Sequence, residues 1–256
     1  MKVVLFAGGL GTRLREYSET MPKPLARIGN QPILWYLMKY YAHYGHTDFV
    51  VCLGYRGDAI KEFFLNYDEC LSNDFVLRNG SAELVEGRKS DISNWNITFV
   101  DTGQNSCIGE RLKAVEEYVK DEEWFLANYS DGLSDLPLDK YLDYVKKQDK
   151  IGNFVCVKPT GTFHVVEKEE DMTVTEIRHV DRSVRINGGY FVFKGKIFDY
   201  LKQGEELVLE PFHRLIEKRQ LLGYDYDGFW KCIDTLRDKQ QYDEMYARGE
   251  TPWMVW

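Results

Sequence analysis

The sequence predicts an α/β protein: a Rossmann-like, mixed and mostly parallel sheet flanked by helices, followed by a β-rich half. Three observations carry this. Short apolar, β-branched runs alternate with amphipathic helical stretches through the first 150 residues, the strand–helix–strand–helix order of a doubly wound sheet. After Gly152 the helical period gives way to closely spaced β runs with turns between them. The length, 256 residues, suits one large domain that buries most of its apolar surface. The expected division is a single domain, 1–256, with a first half 1–150 and a second half 151–256 that ends in a helix.

Val3 to Phe6 is long enough for a buried strand. Gly8, Gly9 and Gly11 follow at once. Glycines after a strand let backbone turn tightly and approach a ligand closely. Successive N–H groups in such a turn make a concave anion site. Arg13 and Lys23 then add positive charge, and Lys23 stands between Pro22 and Pro24, which restrict the backbone on both sides. The spacing matches neither GxGxxG nor GxxxxGK[ST], so the dinucleotide fingerprint and the P-loop do not apply. A plain glycine loop is the alternative.

Pro32 starts a helix with Ile33, Leu34, Leu37, Met38 and Tyr41 on one face, ended by Gly45. Asp48 to Leu53 reads as the second strand, Gly54-Tyr55-Arg56-Gly57 as a turn, and Ile60 to Leu65 as a second helix. Residues 66–95 lack clean periodicity and read as an extended surface excursion, with a short strand over Phe75–Leu77. Asn96 to Val100 is the third strand. Asp101-Thr102-Gly103 follows it, and Gly109-Glu110-Arg111-Leu112 opens a helix. Trp124 to Tyr129 is a strand that runs into Ser130-Asp131-Gly132. An Asp-Gly at the carboxyl end of a parallel strand lies where ligands bind in open α/β sheets. Asp135 reads as the N-terminal residue of the next helix, with Leu138, Tyr141, Leu142 and Val145 inward.

The β-rich half holds Phe154–Val157, Thr162–Val166, Val174–Ile177 and Ile186–Phe193. Glu210-Pro211 begins a helix, Leu221–Tyr226 returns as a strand, and a last helix carries Tyr242 and Met245.

Gly8-Gly9-Leu10-Gly11-Thr12-Arg13-Leu14 with Pro22-Lys23-Pro24 resembles the signature of sugar-phosphate nucleotidylyltransferases. The resemblance continues through Asp101-Thr102-Gly103, Asn187-Gly188-Gly189-Tyr190-Phe191, the run Asp234-Thr235-Leu236-Arg237-Asp238-Lys239 and the closing Trp253-Met254-Val255-Trp256. It is strongest toward the glucose-1-phosphate cytidylyltransferases. It implies the nucleotide-diphospho-sugar transferase type of fold, CTP as donor, a phosphorylated small-molecule acceptor, Mg2+ as cofactor and a homo-oligomer. It also implies roles. Arg13 and Lys23 are the catalytic cations. Leu5, Ala7, Gly8, Gly9, Gly11, Thr12, Thr102, Gly103, Arg111 and Asp131 join them on the nucleotide side. Tyr129, His164, Arg178, His179, Asn187, Gly188 and Gly189 form the acceptor side, and Asp131 and Asp234 hold the metal. Arg111 as a helix-surface arginine and Gly188-Gly189 as a simple bulge are the bland alternatives. The family's counterpart of the 66–95 excursion helps build the nucleotide site, partly across a subunit contact.

Two departures stand out. The family's Glu-Lys-Pro upstream of Asn187 is absent; the region reads Glu176-Ile177-Arg178-His179, so Arg178 is the candidate replacement cation, with His179 beside it. Glu110 stands where the family has glycine and puts a carboxylate near the expected base site. Three readings follow: a cytidylyltransferase for a sugar 1-phosphate, one for another phosphorylated or phosphonate acceptor, or an inactive binding module on the same fold.

Composition narrows the partners. A net charge of −8 argues against a general nucleic-acid footprint, so a polyanionic substrate must be drawn in by a local cluster of cations. Five scattered cysteines without a CxxC pair point to free thiols in a reducing compartment and away from zinc. No apolar run reaches membrane-spanning length, and the chain enters a strand directly without a signal peptide; the expected location is cytoplasmic.

Overall fold

Val3–Phe6 (β1) is buried at every residue, and its side chains feed two separate cores. Val3 and Leu5 point to one face and Val4 and Phe6 to the other, as the strand period of two requires. The structure is a computed structural model that describes residues 1–11, 21–67, 73–85, 90, 92–159, 164–179 and 184–256.

After a single 3-10 turn, Lys23–Leu25, the first half runs through strands Arg27–Ile28 (β2) and Gln31–Pro32 (β3), helix Ile33–His43 (α1), strand Asp48–Leu53 (β4) and helix Gly57–Leu65 (α2). Strands Phe75–Arg78 (β5), Ser81–Leu84 (β6) and Asn96–Asp101 (β7) follow, then helices Ile108–Ala114 (α3) and Glu116–Val119 (α4). Strands Trp124–Asn128 (β8) and Gly132–Ser134 (β9) and helix Leu138–Gln148 (α5) complete it. The second half holds strands Gly152–Val157 (β10), His164–Lys168 (β11), Val174–His179 (β12), Ile186–Asn187 (β13) and Phe191–Lys194 (β14). It ends with helix Glu210–Glu217 (α6), strands Leu221–Tyr226 (β15) and Trp230–Cys232 (β16), and helix Leu236–Ala247 (α7).

The main sheet has the order β13-β10-β14-β8-β1-β4-β7, with β15 also paired to β10. β8, β1, β4 and β7 are mutually parallel. β14 is antiparallel to both β8 and β10, which makes the sheet mixed. The chain leaves β1 toward β4 and β7, then returns to β8 on the other side of β1. Such a reversal opens a crevice at the carboxyl ends of the strands. α1 and α5 cover one face, with Leu34, Met38, Leu138 and Tyr141 fully buried there. Leu112, Val119, Phe212 and Leu215 fill the other. Tyr242 and Trp253 close the first core edge to face.

Several sequence expectations need correction. The expected Phe75–Leu77 strand is there as β5, and what the sequence reading lacked is its partner β6, with which it forms a hairpin. Its turn, Asn79-Gly80, has positive φ at both central residues, 49° and 83°, the requirement of a type I′ turn. Ile186–Phe193 is two strands, because Gly189 and Tyr190 take φ of 73° and 52° and break the extended run. Asp135 caps no helix: α5 begins after Pro137, and the Asp135 carboxylate accepts a hydrogen bond from the Tyr226 hydroxyl. Residues 160–163 lie outside the described part, so the Thr162–Val166 strand is seen from His164 onward. Among the described residues Cys52, Cys107, Cys156 and Cys232 are free thiols, and no helix is long and apolar enough to cross a membrane.

Candidate active site

A cavity of about 490 Å3 opens at the carboxyl ends of β1 and β8. Ala7, Gly9 and Gly11 form one wall, Tyr129 and Asp131 the base, and Asn187, Trp230 and Asp234 the far wall. A second cavity of about 470 Å3 lies against Met21 and Leu25, on the Lys23–Leu25 turn; it is lined by Arg27, Arg56 and Glu62 and brings no pair of carboxylates together.

The centre of the first cavity is an ion triad. Lys23 Nζ donates to Asp131 Oδ2 at 2.8 Å and to Asp234 Oδ1 at 2.7 Å. Three local structures deliver these side chains. Pro22 is extended, with φ −66° and ψ 145°, and Leu25 N–H returns to Pro22 O, so the 3-10 turn starts at Lys23. Asp131 follows Ser130, whose φ of 66° turns the chain sharply at the end of β8. Asp234 arrives from the far end of the sequence because β16 pairs antiparallel with β9, Cys232 facing Gly132, and Ile233 N–H donates to Asp131 O at 2.8 Å.

Burial works against the Lys23 charge, but Asp131 and Asp234 outweigh it and hold the ammonium above its usual range. Burial raises Asp131 above the ordinary carboxylate range; Lys23 opposes the rise and the Asp234 charge adds to it. Burial and the adjacent Asp234 push the Cys232 thiol up to about 12, so it stays protonated at neutral pH. Two carboxylates converging on one cation are a hard-oxygen donor set that fits a divalent ion such as Mg2+. Among the described residues no group of three or more His, Cys, Asp or Glu side chains does so. That suits magnesium, which takes one or two carboxylates and completes its shell with water and substrate phosphates.

On the far wall, Asn187 Nδ2 donates to the Tyr129 hydroxyl at 3.1 Å, and Asn187 Oδ1 accepts from Gly189 N–H at 2.9 Å. Trp230 Nε1 donates to Gly188 O at 2.8 Å. Gly188 has no room for a side chain: a Cβ would meet Val157 at 2.9 Å and the Trp230 indole at 3.2 Å. The Gly-Gly is therefore more than a bulge; it seats the Asn187 loop against β10 and β16.

Several expected site residues sit elsewhere. Leu5 is wholly buried in the core, since it faces α1 from the middle of β1. Arg111 does not line the cavity. It is 2% exposed, and its guanidinium donates to Gly8 O (3.0 Å), Leu53 O (3.1 Å), Thr102 Oγ1 (2.8 Å), Gly103 O (2.9 Å) and Gln104 O (3.2 Å). Gly8 serves this packing: a Cβ there would lie 2.1 Å from Arg111 Nη1 and 2.8 Å from Gly54 N. Thr102 and Gly103 belong to the same knot. Gly9, by contrast, has nothing within 4 Å of its would-be Cβ and leaves the cavity open. The Glu110 carboxylate accepts from Cys107 N–H in a capping box and from Gln203, so it is accounted for by helix capping.

Arg178 does not reach the cavity either. It lies on the two-stranded ribbon β11–β12, with its guanidinium 3.1 Å from Glu167 and 3.7 Å from Glu176. His164 and His179 pair across that ribbon as its end residues; their side chains lie outside the described residues, as do Thr12 and Arg13 entirely.

Sequence reasoning missed Phe6, Pro24, Ile108, Ile186, Trp230 and Cys232 as lining residues. Trp230 and Cys232 enter together because they are two apart on one strand. That alternation was legible; the partner strand β9, only three residues long, was not.

The comparisons with known proteins agree with this geometry. The nucleotidyl transferase family model matches residues 2–239. The chain is 37% identical over 262 residues to the glucose-1-phosphate cytidylyltransferase of Salmonella typhimurium, covering all of both chains. It is 34% identical over 258 residues to the probable glucose-1-phosphate cytidylyltransferase of Bacillus subtilis, again over all of both. A solved UDP-glucose pyrophosphorylase complexed with UDP-glucose shares the fold at a TM-score of 0.71 and 16% identity, over 97% of this chain and 98% of that one.

Proposed function

The chain belongs to the nucleotidyl transferase family, and from that premise we propose that it joins CTP to glucose 1-phosphate, giving CDP-glucose and pyrophosphate. One observation supports the reading above others. Lys23 is held by Asp131 and Asp234 at the carboxyl ends of the central strands, beside an open glycine loop.

An acceptor phosphate oxygen attacks the α-phosphorus of the nucleotide in line. The new P–O bond forms as the bond to the β-phosphate breaks, and pyrophosphate leaves with the electron pair. A phosphate monoester has its second pKa near about 6, so its oxygen is already anionic at neutral pH and no general base is required. The protein's work is position and positive charge. Lys23 neutralises phosphate charge at the reacting centre. Gly9 and Gly11 give the triphosphate access to backbone. Asn187 and Tyr129, tied to each other, form the acceptor wall. Arg13 and Thr12 keep the nucleotide roles that the family signature implies. Asp131 and Asp234 are the residues that would hold magnesium. When bound, that ion offsets phosphate charge and orients the triphosphate.

A single sheet runs through residues 1–150 and 151–256, which supports one domain with a nucleotide half and an acceptor half. The solvent-open Phe75, Val76 and Leu77 of the β5–β6 hairpin support a homo-oligomer. The absence of a membrane-crossing helix among the described residues is compatible with a cytoplasmic enzyme.

A different phosphorylated or phosphonate acceptor is the second reading. It is favoured by the lining of the cavity: among the described residues Lys23 is its one cation, and the acceptor half contributes Ile186, Asn187, Trp230, Cys232 and Asp234 but no basic residue. The test is pyrophosphate release from four nucleoside triphosphates against a panel of phosphorylated acceptors. CTP with glucose 1-phosphate is expected to give the highest rate. Turnover of CTP with another acceptor alone selects the second reading, and no release with any pair removes both.

A further inference from the structure

Arg111 carries a full charge in the interior, yet every group it bonds is neutral. Among the described residues it makes no ion pair. An uncompensated buried charge is costly, and a neutral side chain with amide donors could brace carbonyls without that cost. The location of the charge explains why it is tolerated. Arg111 ties together the loops that leave β1, β4 and β7, at Gly8, Leu53 and Gly103. Of these three strand ends, that of β1 borders the cavity, through Ala7 and Gly9.

The peptide geometry then has a directional effect. A trans peptide is planar, with its C=O and its N–H pointing opposite ways. Gly8 O accepts from Arg111 Nη2 at 3.0 Å and from Tyr55 N–H at 3.2 Å, so the N–H of Gly9 points away from the guanidinium. Gly9 lines the cavity, and among the described residues its N–H has no acceptor. The same logic turns the N–H groups of Gln104 and Asn105 away from Arg111, whose fork holds Gly103 O and Gln104 O. Both Gly8 and Gly54 must lack a side chain for the guanidinium to fit, since a Cβ on either would come within 2.8 Å of Arg111 Nη1. The first glycine of the motif is thus matched to an arginine a hundred residues later.

We propose that Arg111 is a positioning residue for polyphosphate binding: it fixes the Gly8–Gly9 peptide with its N–H toward the cavity and sets a permanent positive charge behind it, without touching the ligand. Among the described residues no carboxylate touches the guanidinium; Asp101 and Glu110 act on it only through space, and the anion adds to that compensation. This rests on the reading above only in taking a polyphosphate as the ligand.

The experiment measures binding of inorganic tripolyphosphate to the full chain by calorimetry, without magnesium or nucleotide, for the wild type, Arg111→Lys and Arg111→Met. Pyrophosphate release is measured in parallel. Arg111→Met is expected to bind tripolyphosphate at least about tenfold more weakly, because the positive charge behind the Gly9 N–H is gone and the Gly8 carbonyl loses its guanidinium donor. Arg111→Lys keeps the charge and loses the planar fork, so its affinity should stay within about threefold while kcat falls at least about tenfold at little change in KM. Wild-type affinity in folded Arg111→Met overturns the proposal, as does a wild type that binds no tripolyphosphate. If Arg111→Met does not fold, Arg111→Lys decides: retained affinity with reduced kcat supports the proposal. Unchanged kcat, or affinity lost more than tenfold, overturns it. A wild type that binds tripolyphosphate but turns over no nucleotide would sink the proposed function and leave Arg111 standing.

Discussion

Lys23 and Arg111 carry the same charge at the two sides of one glycine loop, in opposite surroundings. Lys23 faces the cavity and is matched by two carboxylates, Asp131 and Asp234. Arg111 lies behind Gly8, is matched by none among the described residues, and bonds carbonyls and a hydroxyl instead. The Lys23 triad is an arrangement that can exchange: its carboxylates can pass to a metal and its ammonium to a phosphate. The Arg111 knot cannot exchange without unbinding three loops at once. The difference teaches that two cations beside one loop can be held in opposite ways, one by carboxylates facing a cavity and one by backbone carbonyls behind it; under the proposed function the first enters the chemistry and the second shapes the backbone.

The largest effect should come from the mobile side. Lys23→Ala should lower turnover by roughly 10²–10³ while the fold persists, the usual cost of one preorganised charge contact. Steady-state kinetics at saturating substrates, with circular dichroism as the fold control, checks this. Wild-type turnover in the variant would make Lys23 a mere neutraliser of the two aspartates.

Next come the aspartates. Asp131→Asn and Asp234→Asn should each raise the magnesium requirement by at least the roughly 10–100-fold that losing even an outer partner costs a metal site. Magnesium titration of each variant, with a chelator as the zero point, gives the answer. Unchanged metal dependence in both would leave the triad a structural ion cluster.

The fixed side predicts a contrast between neighbours. Gly8→Ala should lose about 1–3 kcal/mol of stability, because its Cβ collides with Arg111 and the Gly54 backbone. Gly9→Ala should change stability by no more than about 0.5 kcal/mol, since nothing is near, and should weaken nucleotide binding because it enters the cavity. Urea unfolding separates the two; equal losses would mean that the knot yields.

His46 tests what a cationic environment does to a group that can give up its charge. Burial, then the Met1 ammonium and Lys146, press its pKa down to about 4. An unfolded histidine takes up its proton near about 6.5, so the folded state binds fewer protons in between. Stability is therefore fully present above pH 6.5 and should decline as pH falls toward 4. His46→Asn should flatten that slope in urea unfolding at stepped pH; an unchanged slope assigns it to other groups.

The smallest effect is Arg178→Ala. Its guanidinium is engaged by Glu167 and Glu176 on an exposed ribbon, and such surface pairs are worth about 0–1 kcal/mol. Turnover with glucose 1-phosphate should stay within about twofold of wild type, as for other surface substitutions. A larger fall would return Arg178 to the acceptor side.

The sequence by itself determined the parallel core and the motif residues. Val3–Phe6, Asp48–Leu53 and Leu221–Tyr226 were legible because apolar runs bounded by turn residues are local signals. The Asn79-Gly80 turn was equally local, and its second strand was readable but passed over. Lys23 was singled out by its two prolines, and Asp131 by its place after a strand. What only the tertiary structure decided is which charges meet. Asp234 reaches Lys23 across 211 positions because two three-residue strands, β9 and β16, pair, and strands that short carry almost no periodic signal of their own. Arg111 looked like either a surface residue or a ligand contact, and became a buried knot because α3 packs behind three strand ends. Arg178 looked like the missing acceptor cation, and went to Glu167 because the two are diagonal across the ribbon: Arg178 is opposite Val165, two residues before Glu167. Local chemistry writes the elements and names the reactive side chains; register and crossover place each charge against its partner, and those are properties of the whole sheet.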